Sequence, residues 1–106
     1  MQSLDSLIAF IAKNHPFNAE KYPELLGKDE DQRLVFALRH TALHFSKTAG
    51  KIAAVSEDVD HGGTVDMSDL RVNTVKSLIN TLRLAELIGL SGADLMREIE
   101  EKYLDA

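Results

Sequence analysis

The chain has 106 residues, 44% of them apolar and 27% charged, with a formal net charge of −5 and no cysteine. These figures fit one ordinary globular domain and exclude disulfides and thiolate metal centres. The acidic balance, with a pI near 5.3, argues against nucleic acid as a partner while leaving room for a local basic face.

No sustained alternation and no Asn-Gly hairpin turn signals a strand, and helical spacing recurs four times. The first segment, within residues 1–14, places Leu4, Leu7, Ile8 and Ile11 on one face, with Ser3 as cap. It stops before His15-Pro16, because the residue before a proline is pushed out of the α region. This apolar stretch is short and has nothing basic before it, unlike a secretory leader. No other stretch approaches the ~20 apolar residues of a membrane span. No membrane association and a cytoplasmic location are therefore expected, and the lack of cysteine fits a reducing compartment. Residues 15–30 read as an irregular connection holding Pro23 and one short turn around Glu24 to Leu26.

The second helix is predicted from Asp31 to Ser56, with Val35, Leu38, Ala42, Phe45, Ala49 and Ile52 recurring at steps of three and four. That is the seam of a helix packed nearly parallel to another. Gly62-Gly63 ends it, leaving Glu57, Asp58 and Asp60 in an acidic turn. A third helix starts near Asp66 or Ser68, either of which can cap it. Its stripe is Val75, Leu78, Ile79, Leu82 and Ala85, and Gly89 terminates it. The last helix opens on Ser91 and Asp94, with Leu90 and Leu95 as a hydrophobic staple, and turns Leu95, Met96, Ile99 and Tyr103 inward. The expected fold is one all-α domain over residues 1–106, a bundle of about four helices, two long and two short, with its core in 31–104.

Between Gln32 and Ser56 there is no Asp or Glu, although the protein is acidic. His40, His44, Lys47 and Lys51 follow helical steps on the side nearly opposite the apolar seam. The third helix carries a matching acid-free stripe of Asn73, Lys76, Asn80 and Arg83. One reading is a pair of solvated faces. Against it, a solvated helix usually mixes signs to gain i,i+4 pairs. Phe36 and Leu43 also flank the basic stripe, and a helix apolar on two sides packs on two sides. The other reading is therefore a groove or a subunit interface, in a homodimer or higher homo-oligomer. Neighbouring stripes would border a cleft rich in cations and amides, suited to a phosphate-bearing small molecule.

Two segments, KTAGKIA (Lys47 to Ala53) and LRLAELIGLSGADLMREIEEKY (Leu82 to Tyr103), resemble the MazG-like all-α nucleotide pyrophosphohydrolases. The first is similar to a rewritten EExGELxE helix, the second to the long helix, glycine turn and short helix that end that fold. The resemblance spans roughly Asp31 to Tyr103. It implies a MazG-like helical bundle. It also implies hydrolysis of nucleoside triphosphates to monophosphate and pyrophosphate, with magnesium held by E-x-x-E on one helix and E-x-x-D on the next. At the matching positions stand Thr48 and Lys51, then Asn73 and Lys76. Magnesium takes oxygen ligands, and an ammonium group repels it. The resemblance thus implies the family fold with a degenerate catalytic site: no catalytic residue, no cofactor, and phosphate binding by His40, His44, Lys47, Thr48, Lys51, Asn73, Lys76, Asn80 and Arg83. Two alternatives stand beside this. One is an active magnesium-dependent enzyme drawing on other acids, such as Glu57, Asp58 and Asp60; the other is a structural oligomerisation module.

Other constellations are poorer. Asp58, Asp60, Gly63, Asp66 and Asp69 fall at calcium-loop positions, but Gly62 stands where an oxygen ligand is wanted and Asp69 replaces the usual bidentate Glu. The simpler expectation is a solvated turn whose acids cap the next helix. His40 and His44 have a zinc-compatible spacing, but Thr41 stands where a metalloprotease has its glutamate and no third ligand is evident. No metal site is expected.

Overall fold

A computed structural model describes residues 3–104 of the expected domain. Along them lie α1 (Leu4–Asn14), a 3-10 turn (Pro23–Leu25), α2 (Glu30–Asp60), α3 (Met67–Leu87) and α4 (Gly92–Lys102), with no strand among the described residues. The fold is all-α, two long helices and two short, as predicted.

Helix starts follow their caps. Ser3 Oγ accepts from the Ser6 amide at 3.0 Å. Asp29 and Gln32 close a capping box on α2, and Ser91 and Asp94 close one on α4. For α3 the cap is Asp66, which accepts from the Asp69 amide at 2.9 Å. Caps of this kind contribute about 1 kcal/mol each. Gly62 and Gly89 stop α2 and α3 with φ of 88° and 77°, a region that side chains disfavour. α2 runs past the expected Ser56 to Asp60, so Glu57, Asp58 and Asp60 lie in its last turns. Gly62, not the acids, sets the end.

α2 and α3 form an antiparallel hairpin, α1 lies on α3, and α4 lies on α1. A small core of Ile8, Ile11 and Leu82, flanked by Leu4, Leu7, Ile79 and Leu95, joins these elements. α4 is held close to α1 at Gly92, whose amide donates to Asp5 Oδ1 at 2.7 Å. A Cβ there would stand 2.8 Å from the Asp5 backbone nitrogen. Gly92→Ala is therefore expected to push α4 off α1 and to destabilise the protein by about 1–3 kcal/mol. Urea unfolding reads this directly; an unchanged midpoint would contradict the close docking.

The predicted seam is not what closes the hairpin. The residues buried between α2 and α3 are Ala37, Thr41, Thr48 and Val55 on one helix and Asn73 and Asn80 on the other. They suit close approach. Thr41 and Thr48 donate their hydroxyls back to Ala37 O and His44 O at 2.7 and 2.8 Å. Asn80 Nδ2 donates across to Thr41 O at 2.9 Å. Each buried polar side chain thus has a backbone acceptor, and only small groups separate the helices.

The apolar seam faces outward instead: Val35, Leu38, Ala42, Ala49 and Ile52 are exposed, and Phe45 is half-buried. On α3, Leu82 is 2% exposed under α1, whereas Val75 and Leu78, earlier on the same stripe, are 58% and 50% exposed. Helix length explains the difference. α1, with 11 residues, is about 16 Å long, and α3, with 21, is about 31 Å long, so α1 covers only half of the stripe. On α4, Leu95 reaches the core but Met96, Ile99 and Tyr103 are exposed, against expectation. The accessible surface is 7784 Å², about 1,900 Å² above the roughly 5,900 Å² usual for this mass. The radius of gyration is 16.7 Å, against about 13 Å for a compact chain of this length.

Candidate functional site

The basic stripes that the sequence placed on separate helices meet in space. Because α2 and α3 run antiparallel, Lys47, Thr48 and Lys51 stand opposite Asn73, Lys76 and Asn80 across a cleft of about 300 Å³. His44 and Arg83 line its inner end, together with His15 and Ile79, two residues not predicted for it. His40 does not line the cleft; it sits behind His44, one hydrogen bond away.

The cleft has no acid in its lining. Among the described residues the ion pairs are His61–Glu57, Arg97–Asp94 and Lys102–Glu98, so none of Lys47, Lys51, Lys76 and Arg83 is paired. Four cations thus share one concave surface, which raises the local concentration of anions. Asn73 Nδ2 donates to Asp69 O at 2.8 Å, which fixes the amide orientation. Its Oδ1 is then left without a partner, although Asn73 is only 1% exposed. Arg83 Nε is likewise buried and unpartnered. Unmet buried groups of this kind cost about 1–3 kcal/mol each.

Arg83 is held by an aromatic prop that the sequence reading missed. Its Cζ lies 3.9 Å from the centroid of the Phe17 ring, a cation–π contact. Its Nη2 donates to Tyr22 Oη at 3.4 Å. Phe17 stacks on Tyr22 at 5.4 Å, Tyr22 meets Phe36 edge-on at 5.3 Å, and His40 stacks on Phe36 at 5.8 Å. The segment expected to be an irregular connection therefore packs beside the site. The available signal was aromatic density: of the six Phe and Tyr residues, Phe17, Tyr22 and Phe36 stand here.

A polar chain runs from this prop into the cleft. Tyr22 Oη lies 3.3 Å from His40 Nε2, and His40 Nε2 lies 2.9 Å from His44 Nε2. Only one proton fits between the two imidazoles, so one nitrogen donates and the other accepts. Burial, the His44 ring and the Arg83 guanidinium push His40 below the usual imidazole range, with Glu24 acting the other way. Burial, Arg83, Lys47 and Lys76 push His44 down as well. The unfolded chain thus binds protons at these sites more readily than the folded one. Stability should be fully present above pH ~6.5, the unperturbed imidazole value, and should fall as pH drops through the lowered folded-state values. Thermal scans between pH 8 and 5 check this. His44→Gln should flatten the slope relative to wild type, and an unaltered slope would mean that the pair does not govern it.

The acidic residues do not assemble. Among the described residues no group of three or more His, Asp or Glu is placed to hold a metal ion. Asp66 is occupied in capping α3, while Asp58 and Asp60 lie on the final turns of α2. No protein-family model, curated protein or solved structure matches the chain.

Proposed function

We propose that the protein binds a phosphate-bearing small molecule in the α2–α3 cleft without hydrolysing it, as a divergent MazG-like protein whose metal motifs have been replaced. The observation that carries this is the convergence of Thr48 and Lys51 from α2 with Asn73 and Lys76 from α3 around one acid-free cleft, joined by Lys47 and Arg83. These are the positions where the resemblance puts magnesium-binding carboxylates. Two of them now bear ammonium groups, which cannot ligate a cation and do attract a phosphate. The residues present do not fit a magnesium ion. Glu57, Asp58 and Asp60, the acids an active enzyme would draw on, do not line the cleft. The bare apolar faces of α2 and α3 belong to the same reading: the working form is a homo-oligomer in which a second copy covers them.

Incubation with nucleoside triphosphates, with and without magnesium, tests the chemical half of the proposal. Pyrophosphate release should stay at background. Robust magnesium-dependent turnover would overturn the assignment of Thr48, Lys51, Asn73 and Lys76 and favour the enzyme alternative.

A further inference from the structure

The polar chain behind the cleft has a fixed order of donors. A guanidinium has no acceptor, so Arg83 Nη2 donates to Tyr22 Oη at 3.4 Å. Tyr22 then turns its own proton to His40 Nε2, 3.3 Å away. That nitrogen is therefore bare, and the 2.9 Å contact between the two rings requires the proton to sit on His44 Nε2. A neutral imidazole carries one proton, which leaves Nδ1 of His44 bare, on a ring that lines the cleft. Among the described residues no protein group bonds to it. We propose that an anion entering the cleft brings a proton with it: His44 takes one from solvent at Nδ1, so that the site tightens as pH falls. The proposal rests on the reading of the cleft as a phosphate site and goes further by stating how that site is regulated.

Protonation at Nδ1 keeps the rest of the chain intact. His44 Nε2 still donates to His40, and Nδ1 gains an N–H that can donate to an anion. A proton on His40 Nε2 would instead set two N–H groups against each other across 2.9 Å. The surrounding charges explain why the ligand controls the step. Lys76 and Arg83 face the pair from α3, Tyr22 and Glu24 from the connection between α1 and α2, and Lys47 from their own helix; His15 and Lys51 line the same cleft. Burial, Arg83, Lys47 and Lys76 hold His44 below the usual imidazole range, so the ring of the free protein is neutral near pH 7. A dianion placed among these cations cancels their repulsion and favours the charged ring. Uptake of a proton by the complex means, by linkage, that affinity rises as pH falls.

The test titrates the full chain calorimetrically with sulfate, a tetrahedral dianion that does not itself change charge between pH 8 and pH 6. Sulfate should bind at least about fivefold more tightly at the lower pH. Repeating the titration in buffers of different ionisation enthalpy counts the protons, and uptake should reach up to about one per sulfate. His44→Gln should bind with no uptake, while His15→Gln should keep it. In the wild type, the titration midpoint of the His44 ring, followed by NMR, should rise when sulfate is added. An unmoved midpoint, or a sulfate affinity independent of pH, would overturn the coupling and leave the anion cleft standing. Uptake that persists in His44→Gln would place the proton elsewhere and also overturn it. Failure to bind sulfate would overturn it too, and pyrophosphate then decides the cleft: if that also fails to bind, both readings fall together.

Discussion

A Lys51→Glu, Lys76→Glu double variant is expected to bind pyrophosphate at least 100-fold more weakly than wild type. The two lysines face one cleft with Lys47 and Arg83, and no carboxylate lines it. Reversing both changes the local charge by four units, leaving the cleft close to neutral. Each unit acting on a phosphate charge some 4 Å away is worth about 1 kcal/mol even at the dielectric of water, so the loss comfortably exceeds two decades. Both side chains are exposed and unpaired. Their replacement should leave helix content intact, and relief of like-charge repulsion should hold or raise the melting temperature of the free protein. Lys51→Gln alone should cost roughly tenfold, since it removes one charge and reverses none. Undiminished pyrophosphate binding by the double variant would remove the cleft as the site.

Under the proposed homo-oligomeric form, Leu78→Asp is expected to yield a monomer at micromolar concentration, where the wild type runs as an oligomer. Leu78 and Val75 continue the α3 stripe beyond the reach of α1, and both are exposed. The seam of α2 is exposed as well, and the chain as a whole carries an excess surface of roughly 1,900 Å². A dimer that removed most of this would fall within the 2,000–5,000 Å² total typical of obligate homodimers, roughly. An unpaired carboxylate inside such an interface costs several kcal/mol, enough to move a nanomolar dimer beyond micromolar. Light scattering distinguishes the outcomes. A wild type that already runs as a monomer would leave the apolar faces solvated and remove the interface reading.

The sequence made the helices and their caps legible because those are local. Ser3, Asp66 and the Ser91/Asp94 box act within one turn, and the glycine stops need only a positive φ. It also showed the site's two stripes, since a period near 3.6 residues aligns His44, Lys47 and Lys51 on one helix and Asn73, Lys76, Asn80 and Arg83 on the next. The pairing of faces was not legible. Val35, Leu38 and Ile52 have the spacing of a buried seam, and periodicity says that such a face seeks cover without saying whether the cover comes from the same chain. The hairpin closes instead through Thr41, Thr48 and Asn80, polar residues that look solvated until their hydroxyls and amide are seen on backbone carbonyls. The contact of Phe17 with Arg83 spans most of the chain and leaves no local trace.

The most direct test of the central claim is a thermal scan of the wild-type chain with pyrophosphate in the presence of a metal chelator. Ligand at 100 times its dissociation constant stabilises a protein by about 2.7 kcal/mol, a clear rise in melting temperature. The rise should appear without metal. It should also shrink between 50 mM and 500 mM salt, roughly the range over which screening shortens from beyond 10 Å to a few ångströms. No rise with pyrophosphate or inorganic phosphate at millimolar concentration would contradict the account and leave a structural oligomerisation module in its place.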